Sequence, residues 1–141
     1  IAKLLIEAVG SDMPADVLER CSIRACKSSN ADLVSYILKL IKSDSIPART
    51  FVEAVFCGRV ESAKLLIDDS RVDLFPNRFE AIILAICGGV DEIIEYVFGD
   101  KCDEIRLSKL ERTDYAWLAN QAAYYKRFDM EELFKRRMAK L

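Results

Sequence analysis

The chain has 141 residues, 52% of them apolar and 31% charged, with a formal net charge of −2 and no histidine. It is too apolar for disorder, long enough for one domain with its own core, and lacks the basic excess with which a nucleic-acid binder neutralises phosphates. Without histidine there are no Ser-His or Cys-His nucleophile pairs, no His-ligated metals and no histidine pH switch.

The first ten residues, IAKLLIEAVG, read as an apolar helix, and the segment AKLLI returns at Ala63 to Ile67. Next comes CSIRACKSSNADLVSYILKLI, two helical patterns with Ala25 in the first and Asp32 opening the second. The stretch RTFVEAVFCGRVESAKLLI repeats that order: the helical spacing of Phe51, Val52, Val55 and Phe56 breaks at Gly58 and resumes at Ala63, Leu65, Leu66 and Ile67. Glycine at the break can adopt the left-handed conformation that ends a helix. EAIILAICGGVDEIIEYVFGD has the same anatomy, with Gly88 and Gly89 at the break and a second helix expected over Asp91 to Phe98. WLANQAAYYKRFDMEELFKR places Ala122 and Asp129 in the same two roles.

Aligning Ala25, Ala54, Ala85 and Ala122 divides the chain into a partial unit over 1–10 and four units near 11–43, 44–72, 73–103 and 104–141. One helix pair cannot bury its apolar face alone, whereas stacked pairs share a continuous core. The fold class expected is an all-α solenoid of helix-turn-helix repeats forming a single domain. Ala54, Ala85 and Ala122 are expected where first helices approach most closely. Leu65, Leu66, Ile93, Ile94, Val97 and Leu133 are expected to fill the layer between units.

A period near roughly 30 residues, GRVESAKLLI and GVDEIIEYVF as acid-then-apolar second helices, and DDSRVDLFPNRF as the connection resemble the ankyrin repeat family. The sequence departs from that family at the start of the first helix, where RTFV and EAII stand in place of Thr-Pro-Leu-His. It departs again at the loop tip, where Arg78 stands in place of glycine. A non-repetitive helical bundle with a cleft is the alternative architecture, and its contacts would span the whole chain.

The resemblance implies a non-catalytic scaffold that binds a partner protein through finger loops and a concave face. The cysteines read as reduced thiols of an intracellular, cytoplasmic protein, the net charge argues against a nucleic-acid partner, and the longest apolar run, Ala81 to Cys87, is far short of a membrane span; a monomer with no cofactor is expected. The alternative is the targeting region of a larger intracellular enzyme, or of a pathogen or viral effector; an opening Ile and an apolar first helix point to a longer chain. Carried onto this sequence, the contact candidates are Phe75, Asn77, Arg78 and Phe79 in the best-defined loop, Ala48 and Arg49 in the preceding one, and Tyr115 and Trp117 before the last unit. Phe75 and Phe79 could equally fold back onto the stack, and the size of Trp117 favours the core.

Other motifs have plainer readings. Cys21, Cys26, Cys57, Cys87 and Cys102 lie mostly in apolar helical patterns and read as reduced core thiols, with Cys57 and Cys87 sharing a packing role. CGGVD lacks the longer glycine pattern and Lys-Ser or Lys-Thr of a phosphate loop. FKRRMAK reads as a basic helix end complementing the helix dipole, and the acids of LIDDS and GDKCDE as solvated loop charges.

Overall fold

Helix starts are set by local chemistry that differs from one to the next. In the computed structural model, which describes residues 14–28, 30–42, 45–99 and 104–141, α1 (Ala15–Lys27) follows Pro14 and α3 (Ala48–Phe56) follows Pro47. A proline there costs no helical hydrogen bond. The side-chain oxygen of Asn30 accepts the Leu33 amide at 3.0 Å and so caps α2 (Ala31–Leu40). Glu111 and Asp114 form a capping box at the start of α8 (Arg112–Tyr124), with the Glu111 amide donating to Asp114 at 2.8 Å. The remaining helices are α4 (Val60–Asp68), α5 (Pro76–Gly88), α6 (Asp91–Phe98), the single turn α7 (Glu104–Leu107) and α9 (Phe128–Ala139). Among the described residues there is no strand, only an isolated parallel bridge between Ile46 and Val72. The chain is all-α.

The helices form two layers. α1, α3, α5 and α8 pack in that order along one layer, and α2, α4, α6 and α9 along the other. Each neighbouring pair in sequence, α1 with α2, α3 with α4, α5 with α6 and α8 with α9, also packs together. The principal contacts therefore stay within a pair or between adjacent pairs.

Three turns between paired helices share one geometry. Gly58, Gly89 and Lys126 have φ of 68°, 68° and 60°. The amide after each of them reaches back five residues: Arg59 to the Ala54 carbonyl at 2.9 Å, Val90 to Ala85 at 2.9 Å and Arg127 to Ala122 at 2.8 Å. These alanines are the ones the sequence aligns, and all are fully buried. The register puts Cys87 opposite Phe56 rather than Cys57, and both Cys87 and Phe56 are exposed. The expected shared packing role of Cys57 and Cys87 is thus corrected. Only Cys26 is buried among the described cysteines, and burial, with Cys57 nearby, pushes its thiol up to about 12.

Leu66, Ile93, Ile94 and Val97 fill the core as expected, whereas Leu65 and Leu133 are half-buried at its margin. Phe98 anchors the C-terminal half, with the Phe134 ring 5.1 Å away and the Tyr115 ring 6.2 Å away, both edge-on.

Four arginines bind neighbouring pairs together. Arg59 Nε donates to the Lys27 carbonyl at the end of α1, and Arg127 Nε to the Ile86 carbonyl near the end of α5. On the opposite edge Arg71 donates to the carbonyls of Leu38 and Ile41 at the end of α2, and Arg106 to those of Ile67 and Asp69 at the end of α4. Each satisfies carbonyls that a helix end leaves without intrahelical partners. The basic end of α9 is not wholly a solvated dipole complement: Arg137 is buried and holds Glu104 through two 3.0 Å hydrogen bonds. Readings that fall on Ile1–Gly10, on Cys102 or on the acids at 100 and 103 lie outside the described residues.

Candidate functional site

The connection from α4 to α5 is built on Asp69. Its carboxylate accepts the Arg71 amide at 3.1 Å, Nε at 3.0 Å and Nη2 at 2.8 Å, and these bonds hold its pKa below the ordinary carboxylate value. Arg71 is thereby aimed at the end of α2, while its own carbonyl receives the Ile46 amide at 3.3 Å. Two successive connections are pinned side by side. Asp73 then accepts the Phe75 amide at 2.9 Å and turns the chain toward α5.

The start of α5 has the least ordinary backbone in the described residues. Asn77, Arg78 and Phe79 have φ of 51°, 56° and 67°, a left-handed turn ahead of the right-handed body of the helix. Left-handed conformation costs an L-residue roughly 1–2 kcal/mol, least for asparagine, and such strain persists only where the surroundings enforce it. Here the Asn77 side-chain Nδ2 donates to the Glu80 carboxylate at 2.8 Å, and Phe79 is clasped between two rings, Phe75 at 5.4 Å and Trp117 at 6.1 Å.

Ala48, Arg49 and Asn77 are brought together around a cleft of about 390 Å³ between the starts of α3 and α5, completed by Val52, Glu53, Pro76 and Glu80. Ala48 and Arg49 belong to the first turn of α3 rather than to the loop before it. Arg49, Glu53 and Glu80 put charge on the cleft wall, and Glu53 lies 3.6 Å from Arg49 and 3.7 Å from Lys27. Phe75, Phe79 and Trp117 form an aromatic row beside it, running from α5 to α8. Phe75 and Phe79 fold partly back onto the core, and Arg78 stays exposed between them. Trp117 departs from the core reading: it is 41% exposed, because α8 turns the opposite face, with Tyr115, Leu118 and Ala122, inward. Tyr115 is 2% exposed, so its ring is not offered to a partner.

The cleft residues Val52, Glu53, Pro76 and Glu80 escaped the sequence reading, as did the bolts Arg71 and Arg106. Arg59 and Arg127 could have been found, since both come directly after the turn residue in the aligned units. The acids of LIDDS are not simply solvated: Asp68 accepts the Tyr96 hydroxyl at 2.7 Å, and Asp69 holds Arg71.

Among the described residues no three His, Cys, Asp or Glu side chains are grouped to hold a metal ion, and no helix is long and apolar enough to cross a membrane. No protein-family model, curated protein or solved structure matches the chain.

Proposed function

We propose that the chain is a solenoid of ankyrin-like helix pairs that binds a partner protein through its loop edge and the outer side of α3, α5 and α8. Ordered packing of successive pairs, the turn hydrogen bond repeated at Ala54, Ala85 and Ala122 and the bridging of adjacent loops support the repeat reading. The observation that carries the function is the strained, pinned segment Asn77 to Phe79, flanked by Trp117 and by the Arg49 cleft. Arginine and aromatic side chains are the usual anchors of an interface, and a surface already held in place spends little ordering entropy on docking. The activity is recognition without chemistry.

The test is parallel affinity capture from cell extract with the wild type, Arg78→Glu and Trp117→Ala, each checked for helicity by circular dichroism. A protein held by the wild type and lost from both folded variants is the expected result. A protein retained equally by all three overturns this assignment of the binding edge.

A further inference from the structure

The other layer carries a groove that this function does not use. It measures about 620 Å³ and lies along the second helices, between α4, α6 and α9. Ile94, Met130 and Leu133 make its floor, with Ile94 and Met130 sealed into the core. Its rim carries the carboxylates of Asp91, Glu92, Glu95, Asp129 and Glu132 against the cations of Lys64 and Arg136, an excess of three negative charges.

The groove already holds one ammonium group. Lys64 Nζ lies 3.6 Å from Glu92 and 4.0 Å from Glu61, and 5.6 Å from the centre of the Tyr96 ring. The hydroxyl of Tyr96 donates to Asp68 at 2.7 Å, which fixes that ring as a wall. An ammonium between carboxylates and an aromatic face is therefore the chemistry the groove accommodates. Glu92 is engaged with Lys64, whereas Glu95, Asp129 and Glu132 make no ion pair among the described residues. Glu95 lies on α6, and Asp129 and Glu132 on α9, both helices packed into the core.

We infer that this groove docks a basic segment of a partner protein, in which lysine or arginine alternates with apolar residues. The cations meet Glu95, Asp129 and Glu132 on the rim, and an apolar side chain covers the half-exposed Leu133. Nucleic acids and anionic lipid surfaces are repelled by the same rim. The inference is independent of the loop-edge function: the groove shares no residue with the Arg49 cleft or the aromatic row.

The experiment is fluorescence anisotropy of the whole chain with a labelled synthetic peptide of alternating Lys and Leu, beside its Glu-Leu counterpart. The Lys-Leu peptide should bind, and binding should weaken as salt rises from about 50 to about 300 mM. Glu95→Lys with Glu132→Lys should weaken it about tenfold or more, whereas Asp16→Lys with Asp32→Lys, the same charge change on α1 and α2, should alter it less than about twofold. Arg78→Ala should leave it unchanged. Equal loss in the two double variants reduces the effect to net charge and overturns the proposal. So does equal binding of the Glu-Leu peptide, absence of binding, or loss of binding in Arg78→Ala. Sedimentation that shows a dimer abolished by Glu95→Lys with Glu132→Lys also overturns it, by assigning the groove to a second copy of the chain.

Discussion

The two edges of the molecule solve the same problem differently. At the turn edge, three successive pairs close with one left-handed residue and one hydrogen bond of 2.8–2.9 Å, whether the left-handed residue is Gly58, Gly89 or Lys126. At the loop edge, the described parts of two successive connections differ. One carries the Asp69–Arg71 knot and the left-handed Asn77–Phe79 turn, and the next carries α7 and the Glu104–Arg137 clasp. The α1–α2 pair stacks on the next without the turn-edge hydrogen bond, the Asn30 amide there meeting the Ser28 hydroxyl, so the shared turn belongs to the three later pairs. The loop edge has no such shared geometry and carries three consecutive left-handed residues, Asn77 to Phe79, with Arg78 exposed among them, whereas the exposed rings of Phe56, Tyr124, Tyr125 and Phe128 stand beside the turns. Substitutions at the turn edge should therefore act on stability, and those at the loop edge on recognition.

The sharpest way to break this contrast is to remove what both edges depend on. Leu66→Ala empties a fully buried position on α4, and should cost about 2–5 kcal/mol in urea unfolding. Binding at either edge should then fail together with the fold.

Arg71, like Arg106, is a loop-edge residue expected to behave like a turn-edge one. Arg71→Met keeps length and removes the hydrogen bonds to Leu38, Ile41 and Asp69, at a cost of about 1.5–3 kcal/mol. The depressed pKa of Asp69 adds a pH dependence. Its contribution is fully present above the ordinary carboxylate value near about 3.9 and is lost as pH falls through the lower folded value. Urea midpoints between about pH 5 and pH 2 should fall less steeply in Arg71→Met than in the wild type.

Arg78→Gly separates strain from recognition. Glycine adopts φ near 56° without a Cβ clash, so thermal unfolding should show a gain of about 0.5 kcal/mol, net of the more flexible unfolded chain, even as partner capture weakens. A loss of stability instead would mean that the Arg78 side chain supports the loop.

Local grammar made much of this legible. Alternating helical spacing and glycine breaks gave the second helix of the third full unit as Asp91 to Phe98, and three aligned alanines fell at fully buried positions. Long-range partners were not legible. Nothing near Arg71 in the sequence marks Leu38 or Ile41 as its acceptors, because those carbonyls belong to a helix end some thirty residues away. The face of Trp117 was misjudged for a related reason. α8 has little amphipathic contrast, so its inward side is chosen by α5 and α9 rather than by its own pattern. The left-handed turn after Pro76 was marked only at Arg78, read as standing in the place of a loop-tip glycine, since Asn-Arg-Phe itself has no glycine to announce positive φ.

The smallest effects test whether the turns are as alike as their hydrogen bonds suggest. At Gly58 an added methyl would meet nothing within 4 Å, so Gly58→Ala should lose only the conformational term, about 1 kcal/mol. At Gly89 the same methyl would stand 2.9 Å from the Arg127 guanidinium, which caps α5 through the carbonyls of Ile86 and Cys87. Gly89→Ala should therefore cost more than Gly58→Ala, by about the 0.5–1.5 kcal/mol of a displaced hydrogen bond. Lys126→Gly should run the other way and gain about 0.5 kcal/mol, because φ of 60° then meets no Cβ while the more flexible unfolded chain takes back part of the benefit. Equal losses at Gly58 and Gly89 in urea unfolding would show that Arg127 moves aside freely. In that case its cap would contribute nothing to the stacking of α8 and α9 on α5 and α6.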